Sequence, residues 1–125
     1  MSPNPAGSMP RSSEEANVAF RELLPADETV KVRPMFGNLA AFVNGNMCTG
    51  LFGDDLFVRL PAGDAERVVA EGGAPFAPMP GRAMAGYVVV RGPWLANRDE
   101  AGAWVERSLA WTRGLPAKTP KAKRA

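Results

Sequence analysis

The sequence predicts a single α+β domain in which an antiparallel sheet of four to five strands packs with two to three helices. The length of 125 residues suits one domain with its own core. Three short strand-like segments follow one another between residues 39 and 60 with no helical pattern between them, and helical patterns lie on either side. Consecutive strands joined by tight turns are typical of an antiparallel sheet rather than of a βαβ repeat.

The first helix is predicted to begin at Ser12 or Ser13 and to end before Pro25. Ser12 and Glu15 have the spacing of a capping box, in which both side chains bond backbone N–H groups of the first turn. A short extended segment over residues 29–33 follows, because the proline after it disfavours helix at the preceding residue.

The clearest local signal is a hairpin over residues 39–52. Asn44-Gly45 is the favoured pair for a two-residue type I′ turn, since both turn positions need positive φ. Outward from this turn the two strands are predicted to pair residue by residue: Val43 with Asn46, Phe42 with Met47, and Ala41 with Cys48. A second turn at residues 53–55 leads into a third strand over 56–60, which completes a three-stranded meander.

Both faces of the hairpin are apolar. Strict alternation gives two sets of side chains: Phe42, Met47 and Leu51 on one face, and Leu39, Ala41, Val43, Cys48 and Phe52 on the other. A sheet with one face in water would carry polar residues at every second position. Either helices of this chain cover both faces or one face is buried against a second copy. We expect a homodimer with Phe42, Val43 and Met47 near its interface.

The second half of the sequence predicts two helices with a strand between them. A helix over residues 62–71 points Ala65, Val68 and Val69 inward, and an irregular connection over 74–86 holds at most one short strand. The β-branched run at 87–91 predicts a strand. Asn97 then caps the last helix, which has one buried face: Ala101, Trp104, Val105, Ser108, Leu109 and Thr112.

Charge and composition divide the chain into three parts. Residues 1–11 are too polar to bury surface, so we expect a disordered arm, a folded domain over 12–116 and a disordered tail over 117–125. The tail carries four basic residues and no acid: Lys118, Lys121, Lys123 and Arg124. Without these four of the 15 basic residues, 11 remain against 13 acids, so the basic character belongs to the tail.

Several classes of function are disfavoured by composition. The chain has no histidine and one cysteine, so it cannot by itself build a zinc site from nitrogen and sulfur ligands, and we expect no cofactor. No secretory signal and no apolar run of about 18 residues is present, which predicts a cytoplasmic protein outside the membrane. Cys48 is interpreted as a buried small hydrophobe, with a reactive thiol as the alternative.

Few other residues point to a site. Asp54-Asp55 and Asp99-Glu100 are interpreted as turn and helix-start residues rather than as acid–base or metal pairs. Arg33 and Arg82 lie near predicted strand ends, where they form a candidate anion or partner site, although solvated surface arginines are the commoner case.

Several segments together resemble the TfoX N-terminal domain family (TfoX/Sxy). They run in order along the chain: Arg33 to Gly37 (RPMFG), FVNGNM at 42–47, LFVRLP at 56–61, FAPMPGRAM at 76–84, YVVV at 87–90, Trp104 and LPAK at 115–118. The resemblance implies a small α+β fold akin to secretion-chaperone-like folds. Full-length members of the family regulate competence and add a C-terminal helical domain. The sequence leaves no room for that domain, so we expect a stand-alone N-terminal domain, and a competence role is disfavoured.

Three functions follow as hypotheses. The first is a non-catalytic interaction or regulatory domain with an unidentified protein partner, which the resemblance and the missing catalytic residues favour. The second is an accessory nucleic-acid-binding protein that uses the basic tail for weak, unspecific contacts. The third is an enzyme that uses carboxylates or Cys48, which would require a cleft that collects several of these groups.

Overall fold

The computed structural model describes residues 11–35, 38–79 and 81–116, and these residues form three α-helices and one six-stranded sheet. The helices are α1 (Glu14–Leu23), α2 (Ala62–Ala70) and α3 (Arg98–Arg113). The strands are β1 (Val30–Met35), β2 (Asn38–Val43), β3 (Asn46–Phe52), β4 (Asp55–Arg59), β5 (Ala74–Pro75) and β6 (Tyr87–Val89). The predicted α+β class is confirmed, with a slightly larger number of strands.

The sheet has the order β1-β2-β3-β4-β6-β5, and all neighbouring strands are antiparallel. The extended segment predicted at 29–33 is part of β1, so the meander has four strands rather than three. The two edge strands, β1 and β5, each contain a proline, Pro34 and Pro75. The Phe76 N–H donates to the Tyr87 carbonyl oxygen at 3.1 Å. The backbone nitrogens of adjacent strand residues point to opposite sides of the strand. Since the Phe76 nitrogen points towards β6, the nitrogen of Pro75 points away from it.

The hairpin between β2 and β3 is confirmed at its turn and wrong further out. Asn44 and Gly45 both have positive φ, as a type I′ turn needs. Phe42 pairs with Met47 as predicted, but Ala41 pairs with Thr49, and Cys48 is the extra residue of a β-bulge.

The bulge reverses the faces of the residues beyond it. Leu51 packs with Cys48 on the face that the helices cover, whereas Phe52 lies on the opposite face. The prediction had placed both residues the other way round, because it assumed unbroken alternation along β3. One additional residue shifts the alternation by one position.

The first face of the sheet is covered by α1 and α3. Its core includes Phe20 from α1 and Leu51, Leu56 and Val58 from the strands, all fully or almost fully buried. The six residues predicted to form the inner face of α3 are the six that are buried. Helix α1 is capped by Ser13, one of the two predicted caps, because the Ser13 hydroxyl accepts the Ala16 N–H at 3.1 Å. The predicted capping box of Ser12 with Glu15 is wrong, because Ser13 is the N-cap and the Ser12 hydroxyl lies within hydrogen-bond distance of the side-chain oxygens of Asn17 and Asn38.

The second face is covered by the connection between β5 and β6. Phe76 stacks on Phe57 with ring centroids 4.2 Å apart, and Met84 packs against the same cluster. Both faces of the hairpin are therefore covered within one chain. None of the described helices is long and apolar enough to cross a membrane.

Two details of the helices differ from the prediction. Val69 of α2 is 39% exposed, and only Val68 of that helix is buried. Asn97 does occupy the N-cap of α3, but its side-chain amide donates to the Pro93 carbonyl at 3.1 Å instead of capping the helix.

Candidate functional site

Two of the residues proposed from sequence for anion binding lie within the described residues. Arg33 lies on the edge strand β1, and Arg82 lies in a turn after β5, where its N–H donates to the Met79 carbonyl at 2.9 Å. Residues 1–10 of the predicted arm (1–11) lie outside the described residues. The four basic tail residues also lie outside them: Lys118, Lys121, Lys123 and Arg124.

The residues proposed for self-association are buried within the single chain. Val43 is 1% exposed in the core beneath the helices, and Phe42 and Met47 are 9% and 8% exposed on the second face. Their apolar character is accounted for without a second copy. Homodimer formation stays a prediction, to be measured by light scattering over a range of concentrations.

Cys48 is fully buried, as predicted. Its sulfur lies 3.2 Å from the Ser108 hydroxyl, and that hydroxyl donates to the Cys48 carbonyl oxygen at 2.9 Å. Burial raises the pKa of the Cys48 thiol, which favours the protonated form. A buried thiol with a raised pKa is a poor nucleophile.

The acidic pairs hold loops and helix ends together. An oxygen of the Asp54 carboxylate accepts the Ser13 N–H at 3.2 Å, and Glu100 forms a two-bond ion pair with Arg91 at 2.7 and 3.0 Å. Hydrogen bonds from Arg91 lower the pKa of Glu100. In the part of the chain that the structure describes, no three acidic or thiol side chains gather into a group that could hold a metal ion.

One cleft lies between the end of α1 and α3. It has a volume of about 480 Å³, and its lining includes Leu24, Glu106 and the ion pair between Asp27 and Arg113, which are 2.6 Å apart. Hydrogen bonds from the backbone N–H and the hydroxyl of Thr29, and then the charge of Arg113, lower the pKa of Asp27. The ionised pair fixes the loop after α1 against α3, so the charged groups of Asp27 and Arg113 in this cleft have a structural role.

A second cavity is an apolar groove between α2 and residues 83–88, also of about 480 Å³. Val69 and Ala70 line it from the helix, and Pro75 and Met84 line it from the sheet edge and the connection that follows. Glu66 is the acidic residue of its lining. Sequence reasoning missed this groove because it assigned Val69 to the core. Each residue of a helix is rotated by about 100° from the one before, so Val69 points away from the direction of the buried Val68.

The second face of the sheet carries three cations, which we call the basic row: Lys31, Arg33 and Arg59. The guanidinium carbon of Arg33 lies 5.3 Å from the centroid of the Phe42 ring, and that of Arg59 lies 5.5 Å from the Tyr87 ring. The Tyr87 hydroxyl donates to the Met47 carbonyl oxygen at 2.8 Å, which fixes the ring. Sequence reasoning found only Arg33, although alternation along β1 also places Lys31 on that side; the strand register is needed to align Arg59 with them.

The fold defines the chain as a small α+β domain with an antiparallel sheet, helices on one face and a loop segment on the other. A model of the TfoX N-terminal domain family matches residues 22–111 of the 125 residues, and the chain belongs to this family. The resemblance inferred from the sequence motifs is therefore confirmed. No curated relative matches the sequence.

Proposed function

We propose that this chain is a non-catalytic interaction domain of the TfoX N-terminal type, which binds an apolar segment of a partner protein in the groove beside α2. A regulatory role would follow from the identity of that partner. The observation that carries the proposal is the groove itself, because it is a cavity of ligand size with an almost wholly apolar lining.

The lining of the groove favours a polypeptide over a small polar molecule. Its volume of about 480 Å³ is within the usual range for ligand sites. Sites for small molecules add several convergent polar groups that fix the orientation of the ligand. Here the lining is supplied mainly by alanine, valine, proline and methionine side chains, so burial of apolar surface is the main source of affinity.

The exposed position of Val69 supports a docking role. Its side chain is 39% exposed at the wall of the groove, and the neighbouring Ala70 is small enough to let a partner approach the helix. Methionine adapts its shape to different partners, and Met84 lies at the opposite wall. Glu66 takes part in none of the ion pairs among the described residues, so a basic residue of the partner would find an acid there.

The acidic and thiol groups give no support to the enzymatic alternative. Asp27 and Glu100 are committed to ion pairs, and Cys48 is buried in the core. A catalytic site needs several such groups facing one cavity. The apolar groove contains one carboxylate, Glu66, and none of these three residues.

The test is a selection of displayed peptides on the full chain, followed by affinity measurements on the selected peptides. We expect peptides with spaced apolar side chains and a basic residue. Val69→Glu should weaken their binding about tenfold or more, because it places a charge in an apolar contact. Val18→Glu is the matched control, since Val18 is also an exposed helix valine (48% against 39% for Val69) and lies on α1, outside the lining of the groove.

The outcomes separate clearly. Loss of binding in Val69→Glu with retention in Val18→Glu supports the groove as the docking site. The proposal is wrong if no peptide is selected, if Val69→Glu binds like the unaltered chain, or if both variants weaken binding equally.

A further inference from the structure

The backbone that lines the apolar groove is largely hydrogen-bonded within the chain. Pro75, at the edge of the sheet, has no N–H to donate. The Met84 N–H donates to the Phe76 carbonyl oxygen at 2.8 Å, and the Tyr87 N–H donates to the Met84 carbonyl oxygen at 3.1 Å. Val88 belongs to β6, which pairs with β4 on one side and with β5 on the other. This wall of the groove therefore contributes mainly side chains to a contact.

The helical wall of the groove is hydrogen-bonded in the same way. Its lining residues, Ala65, Glu66, Val69 and Ala70, all lie within α2. The Ala65 N–H donates to the Pro61 carbonyl oxygen at 2.9 Å, and backbone groups further inside a helix bond to one another. An incoming segment therefore meets side chains on this wall as well.

An extended segment is a poor occupant for such a groove. A bound strand obtains its main-chain hydrogen bonds from an exposed sheet edge. The edge strand here, β5, has two residues, and one of them is Pro75. The main-chain groups of an extended peptide would therefore be pressed against apolar side chains without partners, which is costly. A helix satisfies its main-chain groups internally and needs only side-chain contacts from the groove.

The groove-facing side of α2 suits contact with a second helix. Val69 lies on it about one turn after Ala65. Ala65 and Ala70 are small, and the distance between the axes of two packed helices is set by the side chains at their contact. From Ala65 to Ala70 the helix rises about 7.5 Å. Apolar residues one turn apart on a docked helix, at i and i+3 or i+4, match this length, and a third at i+7 reaches past its end.

Glu66 supplies a negative charge beside the apolar contact. It is exposed and takes part in none of the ion pairs between described side chains. The next residue, Arg67, is engaged elsewhere, because its guanidinium carbon lies 5.4 Å from the centroid of the Trp104 ring and its Nη2 lies 3.9 Å from the Glu71 carboxylate. A basic residue of a partner would thus meet a carboxylate that no described cation pairs, and such charge complementarity selects partners.

We infer that the occupant of the groove is an amphipathic α-helix of a partner protein. Its apolar residues recur at i, i+3 or i+4, and i+7, and a lysine or arginine on its flank faces Glu66. Helices that dock into apolar grooves are recognised through this spacing. The inference rests on the proposed function, because it specifies the kind of segment that the groove binds.

The experiment is a selection from two displayed peptide libraries on the full chain. Both contain peptides of about 16 residues with the same overall composition, a length at which a helix is able to form. One library places apolar residues at i, i+3, i+4 and i+7, and the other places them at alternate positions. We expect enriched peptides from the helical library only, with a lysine or arginine beside the apolar positions. Val69→Glu should weaken their binding about tenfold or more.

Substitutions in an enriched peptide test its bound conformation. Proline at a central position outside the apolar stripe should weaken binding about tenfold or more, since it breaks the helix. Alanine at the same position is the matched control and should bind within about twofold of the unaltered peptide. Circular dichroism of the complex should show more helix than the sum of the separate components.

Charge reversal tests the contact with Glu66. Glu66→Lys should weaken binding about threefold to tenfold, and a peptide in which glutamate replaces the basic residue should recover the affinity. The control is Glu106→Lys, because Glu106 is also an exposed acid outside the described ion pairs and lies on α3, outside the lining of the groove. This control should bind within about twofold of the unaltered chain.

The results distinguish a failure of this inference from a failure of the proposed function. Enrichment from the alternating library alone, with loss of binding in Val69→Glu, would overturn the helix and leave the groove as a peptide site. Equal effects of proline and alanine would do the same. Equal losses in Glu66→Lys and Glu106→Lys would overturn the contact with Glu66. Absence of enrichment from either library, or binding that Val69→Glu does not change, would overturn both the inference and the proposed function.

A second copy of the chain is the remaining occupant that the measurements detect. A dimer in light scattering that Val69→Glu dissociates, without any peptide, would place a second copy in the groove and overturn the inference. Circular dichroism melts verify that each variant is folded.

Discussion

Ser108 connects the last helix to the irregular part of the sheet. Its hydroxyl donates to the carbonyl oxygen of Cys48, the additional residue of the bulge, and accepts the N–H of Arg59 at 3.2 Å. The Cys48 sulfur, 3.2 Å away, is a second neighbour of the same oxygen. One buried hydroxyl therefore bonds backbone groups of both β3 and β4 where regular pairing is disturbed. Buried backbone groups need such partners, because water cannot reach them.

Ser108→Ala should reduce the free energy of unfolding by about 1–3 kcal/mol, because it leaves the Cys48 carbonyl and the Arg59 N–H without their side-chain partner. Urea denaturation measures this loss. The rate at which Cys48 reacts with a thiol reagent reports how readily the structure around Cys48 opens, since the residue is buried. We expect slow labelling in the unaltered chain and faster labelling in Ser108→Ala. Rapid stoichiometric labelling of the unaltered folded chain would contradict the burial of Cys48.

At the scale of elements, Gly50 determines how closely β3 approaches the ring beneath it. A Cβ atom at this position would lie 2.6 Å from the ring of Phe57 and 3.0 Å from the Cβ atom of Ala40. Phe57 cannot move aside easily, because it is fully buried and stacked on Phe76. The missing side chain therefore makes room for the aromatic stack on the second face.

Gly50→Ala should lower the free energy of unfolding by about 1–3 kcal/mol, since a methyl group would be forced into a packed core. Gly63→Ala, in the first turn of α2, is the matched control, because nothing lies within 4 Å of its added Cβ atom. We expect that control to be neutral or to stabilise by up to about 1 kcal/mol. Thermal or urea unfolding distinguishes them. Equal effects of the two substitutions would show that strand packing at Gly50 is looser than described.

Sequence reasoning succeeded where local chemistry decides the structure. The Asn44-Gly45 turn, the start of α1 at Ser13 and the buried face of α3 all depend on neighbouring residues or on helix periodicity. It failed at the bulge, because Cys48 is accommodated through Ser108, which is 60 residues away in the sequence. No pattern among neighbouring residues in the sequence predicts that contact.

The same limit applies to the candidate sites. The basic row depends on the register that aligns β1 with β2 and β4 with β6, and the groove depends on how α2 packs beside residues 83–88. Alternation along β1 does place Lys31 on the same side as Arg33, so two of the three cations of the basic row could be predicted. Arg59 could be added only after its pairing with Tyr87 was known.

At the scale of the whole molecule, two carboxylates, those of Asp27 and Asp55, change the free energy of unfolding in opposite directions when they are ionised. Bonds from Thr29 and the charge of Arg113 lower the pKa of Asp27, so its ionised form favours the folded state. Burial, and then the charge of Asp54, raises the pKa of Asp55, so its ionised form opposes folding. The stabilisation by ionised Asp27 is therefore lost as the pH falls through its folded-state pKa, whereas ionised Asp55 destabilises the fold once the pH rises through its own folded-state pKa.

Asp27→Asn should lower the free energy of unfolding at pH 7, and Asp55→Asn should increase it. The Asp55→Asn difference should shrink first, as the pH falls through the raised folded-state pKa of Asp55 towards the unfolded value. The Asp27→Asn difference should shrink as the pH falls below about 4, from the unfolded value towards the lowered folded-state pKa of Asp27. Urea denaturation from neutral to acidic pH measures both curves, and each variant is the control for the other. Shifts of the same sign at pH 7 would contradict the assigned pKa directions.

The prolines of the two edge strands also limit how the sheet can pair with strands of other chains. A proline nitrogen has no hydrogen to donate, and in sheets it is tolerated at edges, where that nitrogen points outward. Pro75 meets this description on β5, and Pro34 interrupts β1 beside the charged Lys31 and Arg33. Neither edge strand presents an unbroken row of N–H donors with which a strand of another chain could pair. Growth of the sheet into fibrils by pairing at its edges is thereby discouraged.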